Sequence, residues 1–349
     1  MGKWSHNWKK YLKSYILWVL AAGLALPLGK VGATITQTVY DYVSPTATIV
    51  QNVYEEPPVG ETNLALENKI ANNLVTQRSH KFQEQVVYGK WFAFVDADTK
   101  ELDLYHLGNG ELRVVSTSPA NKRNLDMHWD YLVWEEEGDI WINSFKDGRT
   151  EKLTNTPEFY ETSPRIYGSR VAYWGERDIY LYDIDSKQTT NLTQHSNAWR
   201  SPPSIRRDIV AWSDDSDGAQ NVYIYDLNQL TKTKITNYTT KKWLDYPVLT
   251  QNWLVYPFVD DNGVRQLMAY KLKTGESRQL PDIQRGKFRL TADKFDNNTL
   301  IWNRADDRVI FYDLDKDQLT ELGVMEQPTI YGQQAFGIEK GDNRKINIR

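Results

Sequence analysis

The chain of 349 residues contains no cysteine, which removes disulfides, thiolate metal sites and cysteine nucleophiles. Core packing and ladder hydrogen bonds are left to hold the fold, and a domain of this size needs no covalent staples even outside the cell. Histidine is nearly as scarce. His6, His80, His106, His128 and His195 are the whole set, with no paired spacing of the kind a zinc protease or a catalytic triad needs. No Gly-x-Ser-x-Gly elbow, phosphate loop or dinucleotide fingerprint occurs. A formal net charge of -4, with no basic stripe, excludes nucleic acid as the expected partner.

Aromatic residues fill the space left by these absences. Trp 13 and Tyr 21 against Met 4 favour strands over helices. All-β closed architectures often run long as a single unit, so length does not force a second domain.

The N-terminus reads as an address label. Lys9, Lys10 and Lys13 precede an apolar run from Tyr15 to Leu28, and Val31-Gly32-Ala33 supplies small residues for cleavage. The run is short of the roughly 20 residues that span a bilayer comfortably, which favours a cleaved leader over a permanent anchor. Residues 1–33 are therefore expected to be a signal peptide or signal anchor, and the protein periplasmic, secreted or cell-surface. Residues 34–72, with Pro45, Pro57, Pro58 and Gly60, read as a stalk or linker, and Asn63 to Asn72 allows a short helix or strap.

From residue 73 to residue 349 one hairpin recurs. Its first strand is Trp91 to Val95, Tyr131 to Trp134, Arg170 to Trp174, Asp208 to Trp212, Trp253 to Tyr256, Thr299 to Trp302 and Gln334 to Ile338. Each is followed by a polar turn and a second strand, such as Asp139-Ile-Trp-Ile or Asn221-Val-Tyr-Ile-Tyr-Asp. A short outer strand ending in Leu-Thr or its equivalent comes next, as in Leu153-Thr154, Leu192-Thr193 and Ile235-Thr236. Four strands per period near 40 residues predict an all-β, seven-bladed β-propeller of four-stranded blades. The last copy lacks an outer strand. Leu74 aligns with Leu153, and Tyr88-Gly89 with Tyr167-Gly168, so a strand from about Asn73 is expected to complete the last blade and close the ring.

These residues resemble the TolB-like propeller family. Asp178-Ile-Tyr-Leu-Tyr-Asp to Asn191-Leu-Thr, then Ser201-Pro-Pro to Ile209-Val-Ala-Trp, follow its repeat in order. The family's Trp-Ser-Pro-Asp-Gly turn is absent, reading here Ile205-Arg-Arg-Asp or Leu249-Thr-Gln-Asn, so the relation to TolB itself is distant. The resemblance implies the propeller fold and an envelope setting, and no specific role.

The loops from each outer strand to the next inner strand carry aromatic or basic residues: Phe82, Phe159 with Tyr160, Trp199 with Arg200, Lys241 with Trp243, and Phe288 with Arg289. Flat rings beside charged donors suit stacking on sugars or clasping a peptide at the mouth of the central channel. Rings that repeat in propellers also pack between blades. The hairpin turns are acidic, and Asp214, Asp215 and Asp217 offer enough oxygens for calcium, the one cofactor the sequence suggests, although such residues also favour tight turns. The expectation is an exported, non-catalytic binding scaffold for an envelope protein or polysaccharide, touching the membrane only through an uncleaved leader. The alternatives are an extracellular glycan-degrading lyase or hydrolase using His80 and His195, and a structural cell-surface module. Asn191, Asn237 and Asn297 begin glycosylation sequons by pattern, meaningful only in a eukaryotic secretory pathway.

Overall fold

The computed structural model describes residues 82–194, 197–239, 244–260, 262–281, 290–292, 298–304, 306–331, 334–339 and 342–348. The chain divides into Met1–Val53 and Tyr54–Arg349, and the described residues all belong to the second unit. The expected leader, stalk and closing strand lie outside them.

Six sheets have four strands each. The first blade is β1 (Phe82–Tyr88), β2 (Trp91–Asp96), β3 (Leu102–His106) and β4 (Leu112–Ser116). The second is β5 (Lys122–His128), β6 (Tyr131–Glu136), β7 (Asp139–Ser144) and β8 (Thr150–Lys152). The third is β9 (Glu161–Tyr167), β10 (Arg170–Gly175), β11 (Asp178–Asp183) and β12 (Gln188–Asn191). The fourth is β13 (Ser204–Arg206), β14 (Ile209–Asp214), β15 (Asn221–Asp226) and β16 (Thr231–Lys234). The fifth is β17 (Val248–Leu249), β18 (Trp253–Val259), β19 (Arg265–Lys271) and β20 (Ser277–Gln279). The sixth is β21 (Thr291–Ala292), β22 (Thr299–Asn303), β23 (Arg308–Asp313) and β24 (Gln318–Val324). A three-stranded sheet of β25 (Glu326–Tyr331), β26 (Gln334–Glu339) and β27 (Asp342–Ile348) follows. No helix occurs among the described residues, and so none there is long and apolar enough to cross a membrane.

This corrects the expected blade count. Among the described residues there are six four-stranded blades, not seven, and the sheet at the C-terminal end has three strands. The last repeat supplies β26 and β27, and among the described residues no strand pairs with the far side of β27. Repetition of the central hairpin alone does not fix the strand count of a sheet, because the outer strand is a separate element with its own sequence.

The hairpins form because their alternation gives each strand two apolar faces. In β6, Leu132 and Trp134 pack with Val95, Leu102 and Leu104 of the first blade, whereas Val133 packs with Ile166 and Val171 of the third. Period-2 alternation thus sends successive side chains into the two neighbouring interfaces, and the core lies between sheets. Trp134, Trp212 and Trp302, at equivalent places in β6, β14 and β22, are fully buried there.

The Leu-Thr signature has a geometric cause. Leu153, Leu192 and Ile235 each donate a backbone N–H, at 2.8 Å, to the carbonyl of Ile140, Ile179 and Val222 respectively. The next residue turns its hydroxyl back. The Ile140, Ile179 and Val222 amides donate to the Oγ1 of Thr154, Thr193 and Thr236 at 2.8, 3.0 and 2.9 Å. A threonine hydroxyl therefore satisfies a third-strand amide where the outer strand has left the ladder.

The first strands β1, β5, β9, β13, β17, β21 and β25 are neighbours in that order, and β25 meets β1, so they wall a central channel. Side chains join them where ladder bonds do not. Asp126 accepts from the Ile166 amide at 2.8 Å and His128 Nδ1 from the Gly168 amide at 3.0 Å. The Leu249 amide donates to Ser204 Oγ at 3.0 Å, and beyond the first strands the Asn252 amide, in the turn after β17, donates to Asn298 Oδ1 just before β22 at 2.8 Å.

Candidate functional site

The channel encloses a cavity of about 370 Å³. Its wall includes Gln85, Asn124, Asp126, Arg165, Ser204 and Arg206, with Tyr246 at the segment leading into β17. Both charge signs are present on neighbouring strands, and Asp126 is already engaged by the Ile166 amide. Burial and the Asp245 carboxylate push the Tyr246 phenol up, while the Arg165 guanidinium pulls it back.

One end of the channel carries an arc of rings in edge-on and tilted contact. Tyr331 meets Tyr88 at 5.2 Å between centroids, Tyr88 meets His128 at 4.8 Å, and His128 meets Tyr167 at 4.1 Å. The arc ends where the Arg206 guanidinium lies over Tyr167 at 5.7 Å. These residues sit at equivalent ends of the first strands, just before the turn into the second. Sequence reading missed the arc. Its signal was present in the repeated Tyr88-Gly89 and Tyr167-Gly168 pairs, but nothing in a linear pattern says that these rings face one axis.

The opposite end carries the loops expected to bind. Phe159 and Tyr160 are exposed, at 41% and 57%, in the segment between β8 and β9. Tyr160 lies against the turn that joins β6 to β7, where Glu137 and Gly138 both adopt positive φ, 54° and 83°. Its hydroxyl reaches Glu135 Oε1 at 3.3 Å. The same carboxylate accepts from Thr162 and, at 2.9 Å, from Asn124 in the channel wall. One buried carboxylate therefore joins the aromatic loop to the channel.

The other expected residues have different surroundings. Phe82 is core, edge-on to Phe92 and Phe94 at 6.2 and 5.0 Å. Trp199 is half-buried, its backbone N–H donating to Asp215 Oδ1 at 2.7 Å. Arg200 is 3% exposed and lies between two carboxylates, with NH1 3.0 Å from Asp178 and Nε 3.1 Å from Asp214. Phe82 and Arg200 are thus taken up by packing and do not present themselves to a ligand. Lys241, Trp243, Phe288 and Arg289 lie outside the described residues, as do His80 and His195.

The acidic turn after β14 is bound up with its neighbours. Asp214 accepts from Arg200, from Trp212 Nε1 at 3.2 Å, from Lys232 at 3.3 Å and from the Ser216 amide at 2.6 Å. Burial works to raise the Asp214 carboxyl, but the Ser216 bonds and the Lys232 charge outweigh it and hold it below the usual range. Asp217 receives the Tyr223 hydroxyl at 2.6 Å and Lys234 at 3.0 Å. Among the described residues no group of three or more His, Asp or Glu side chains gathers to hold a metal.

No protein-family model and no curated protein matches the chain. Solved structures do. An oligogalacturonate lyase in complex with manganese is 12% identical, with 77% of this chain and 88% of that one covered and a TM-score of 0.57. The propeller domain of Cps50 (Swd1) from Myceliophteria thermophila is 11% identical over 78% of this chain and 98% of its own, with a TM-score of 0.55. TolB from Acinetobacter baumannii is also similar, at 12% identity, 66% and 62% coverage and a TM-score of 0.48. At such identities the likeness shows the fold alone, and that fold is a β-propeller.

Proposed function

We propose that this propeller is an exported, non-catalytic binding scaffold that captures an envelope protein or polysaccharide at the channel end bearing Phe159 and Tyr160. The observation that carries the reading is the continuity from Tyr160 through Glu135 to Asn124. Two exposed rings stand in one loop, and one of them, Tyr160, shares a buried carboxylate with Asn124 in the wall of the cavity of about 370 Å³. Exposed aromatic side chains beside convergent polar groups are the usual makings of an interface hot spot. Export rests on the order Lys9, Lys10, Lys13, then Tyr15 to Leu28, then Val31-Gly32-Ala33.

The test is capture by the purified protein on an array of polysaccharides and exported proteins, with Phe159→Ala/Tyr160→Ala beside the wild type. Capture should fall about tenfold in the double variant while its melting curve stays put. Unchanged capture ends the reading for this face. Release of new chain ends from a polysaccharide by the wild-type protein would replace binding with catalysis.

A further inference from the structure

The two sectors that flank the third blade contain the same buried device. In the second blade, the fully buried Lys122 donates to the carbonyls of Lys100, Ser118 and Ala120 at 2.9, 2.7 and 3.1 Å and lies 3.9 Å from Glu136. In the fourth, Arg200 donates to the Arg177 carbonyl at 2.7 Å and to Asp214 at 3.1 Å. Lys122 is the register partner of Glu136, and Arg200 of Asp214. In both blades the tryptophan two residues before the acid donates its indole N–H to that acid, Trp134 to Glu136 and Trp212 to Asp214. Each cation also reaches the preceding blade at a residue of positive φ, Lys100 at 65° and Arg177 at 72°.

The third blade, between them, inverts the device. Its equivalent pair is Glu161 and Gly175. The carboxylate stands where the neighbours place a cation, and glycine where they place an acid. Glu161 is 5% exposed, Thr156 donates to its Oε1, and its Oε2 has no hydrogen-bond partner. The Gly138 carbonyl, counterpart of the Lys100 and Arg177 carbonyls, accepts the Glu161 backbone N–H, at 2.8 Å, in place of a side-chain cation. A buried carboxyl oxygen without a donor is costly, and it belongs to the residue that follows directly on the loop exposing Phe159 and Tyr160.

The surface above it is acidic. Glu158 is in that loop, Glu137 is in the turn under Tyr160, and Glu176 follows Gly175; all three are exposed. Of the nearby bases, Lys152 is engaged by Asp139 at 2.6 Å, leaving the exposed Arg123 and Arg177 as the local positive charge. Exposed rings among carboxylates suit a guanidinium or ammonium, through ring faces and charge-assisted bonds together.

We propose that this face of the third blade docks a Lys- or Arg-bearing segment of a protein partner, one cationic side chain of which meets Glu161 and supplies the charge that Lys122 and Arg200 provide in the adjoining blades. The inference rests on the binding function proposed above, and it selects a basic protein segment over an acidic saccharide, which the three exposed glutamates repel.

The experiment is calorimetric titration of the full chain with three probes: a short amidated peptide alternating Arg and Gly, the same peptide with Glu for Arg, and an oligogalacturonate. The Arg peptide should bind and weaken as salt is raised, and the two anionic probes should not bind. Glu161→Gln should weaken the Arg peptide about tenfold, as should the surface pair Glu137→Gln/Glu176→Gln, whose exposed sites do not threaten folding. Equal binding by wild type and both variants, or preference for an anionic probe, overturns the inference. If the Arg peptide fails to bind while Phe159→Ala/Tyr160→Ala still loses its array ligand, the cationic partner is wrong and the binding function stands. If the Arg peptide binds with the expected variant losses while array capture is untouched, the reverse holds.

Discussion

The Nε of Arg200 lies 3.1 Å from Asp214 Oδ2, and both side chains are almost fully buried. The same guanidinium holds Asp178 of the preceding blade, whose carboxylate also receives Thr193 Oγ1 at 2.6 Å and Asn191 Nδ2 at 2.8 Å. One arginine thus ties β14 of the fourth blade to the start of β11 in the third. Arg200→Met leaves two buried carboxylates without their shared cation. The expected cost is about 3–5 kcal/mol, read from urea denaturation. A loss below about 1 kcal/mol would show that the junction is held by apolar packing alone.

Lys122 is the milder counterpart. Lys122→Met keeps the length of the stem and abandons three carbonyl acceptors, with Glu136 still bonded to Trp134 at 2.9 Å. Only one carboxylate is uncovered instead of two, so the expected loss is about 2 kcal/mol. Arg200→Met should exceed it under the same conditions, and the opposite order would refute the account of both.

Gly138 should resist substitution for two separate reasons. Its φ is 83°, and a Cβ there would stand 2.9 Å from the Tyr160 ring. Gly138→Ala is expected to cost about 1–2 kcal/mol and to displace Tyr160 from its place against the turn. Quenching of a probe attached beside Tyr160 reads the displacement; a destabilised but unmoved ring would remove the steric half of the argument.

Glu161 and Asp214 should respond to pH in opposite senses. Burial pushes the Glu161 carboxyl above its ordinary 4.5, against the bond from Thr156. The folded state therefore holds the proton more tightly than the unfolded chain, and the favourable contribution, complete below 4.5, is lost as pH rises through the folded value. Asp214 is held below its ordinary 3.8, so its contribution is present above that and lost as pH falls through the folded value. In denaturation curves from about pH 4 to about pH 8, Glu161→Gln should gain on the wild type as pH rises. A constant difference would mean that Glu161 ionises as freely as in the unfolded chain.

The sequence revealed the hairpins because each one repeats a period-2 aromatic run and a Leu-Thr stop, both of which have direct physical causes in the interfaces and in the capping of Ile140, Ile179 and Val222. It did not reveal the strand count of the last sheet, since an outer strand owes nothing to the hairpin it joins. Sequence alone points Arg200 to the channel mouth because an aromatic-basic pair looks alike at an interface and in a core. The distinguishing mark was the acid fourteen positions later, shared by Lys122 and Glu136, and it gains meaning only when the register makes those positions partners. Phe159 and Tyr160 were visible as loop residues, but their link through Glu135 to Asn124 needs three dimensions.

The side-chain bonds between first strands have a further effect. Asp126 to Ile166, His128 to Gly168 and Ser204 to Leu249 each bridge two sheets that share no ladder, and the first strands close on themselves. An open stack of repeats can fray inward from either extremity, one unit at a time. A circle sewn along its inner hem offers no such starting place, so loss of any sector must disturb two others, and heating should dissolve the whole in a single step.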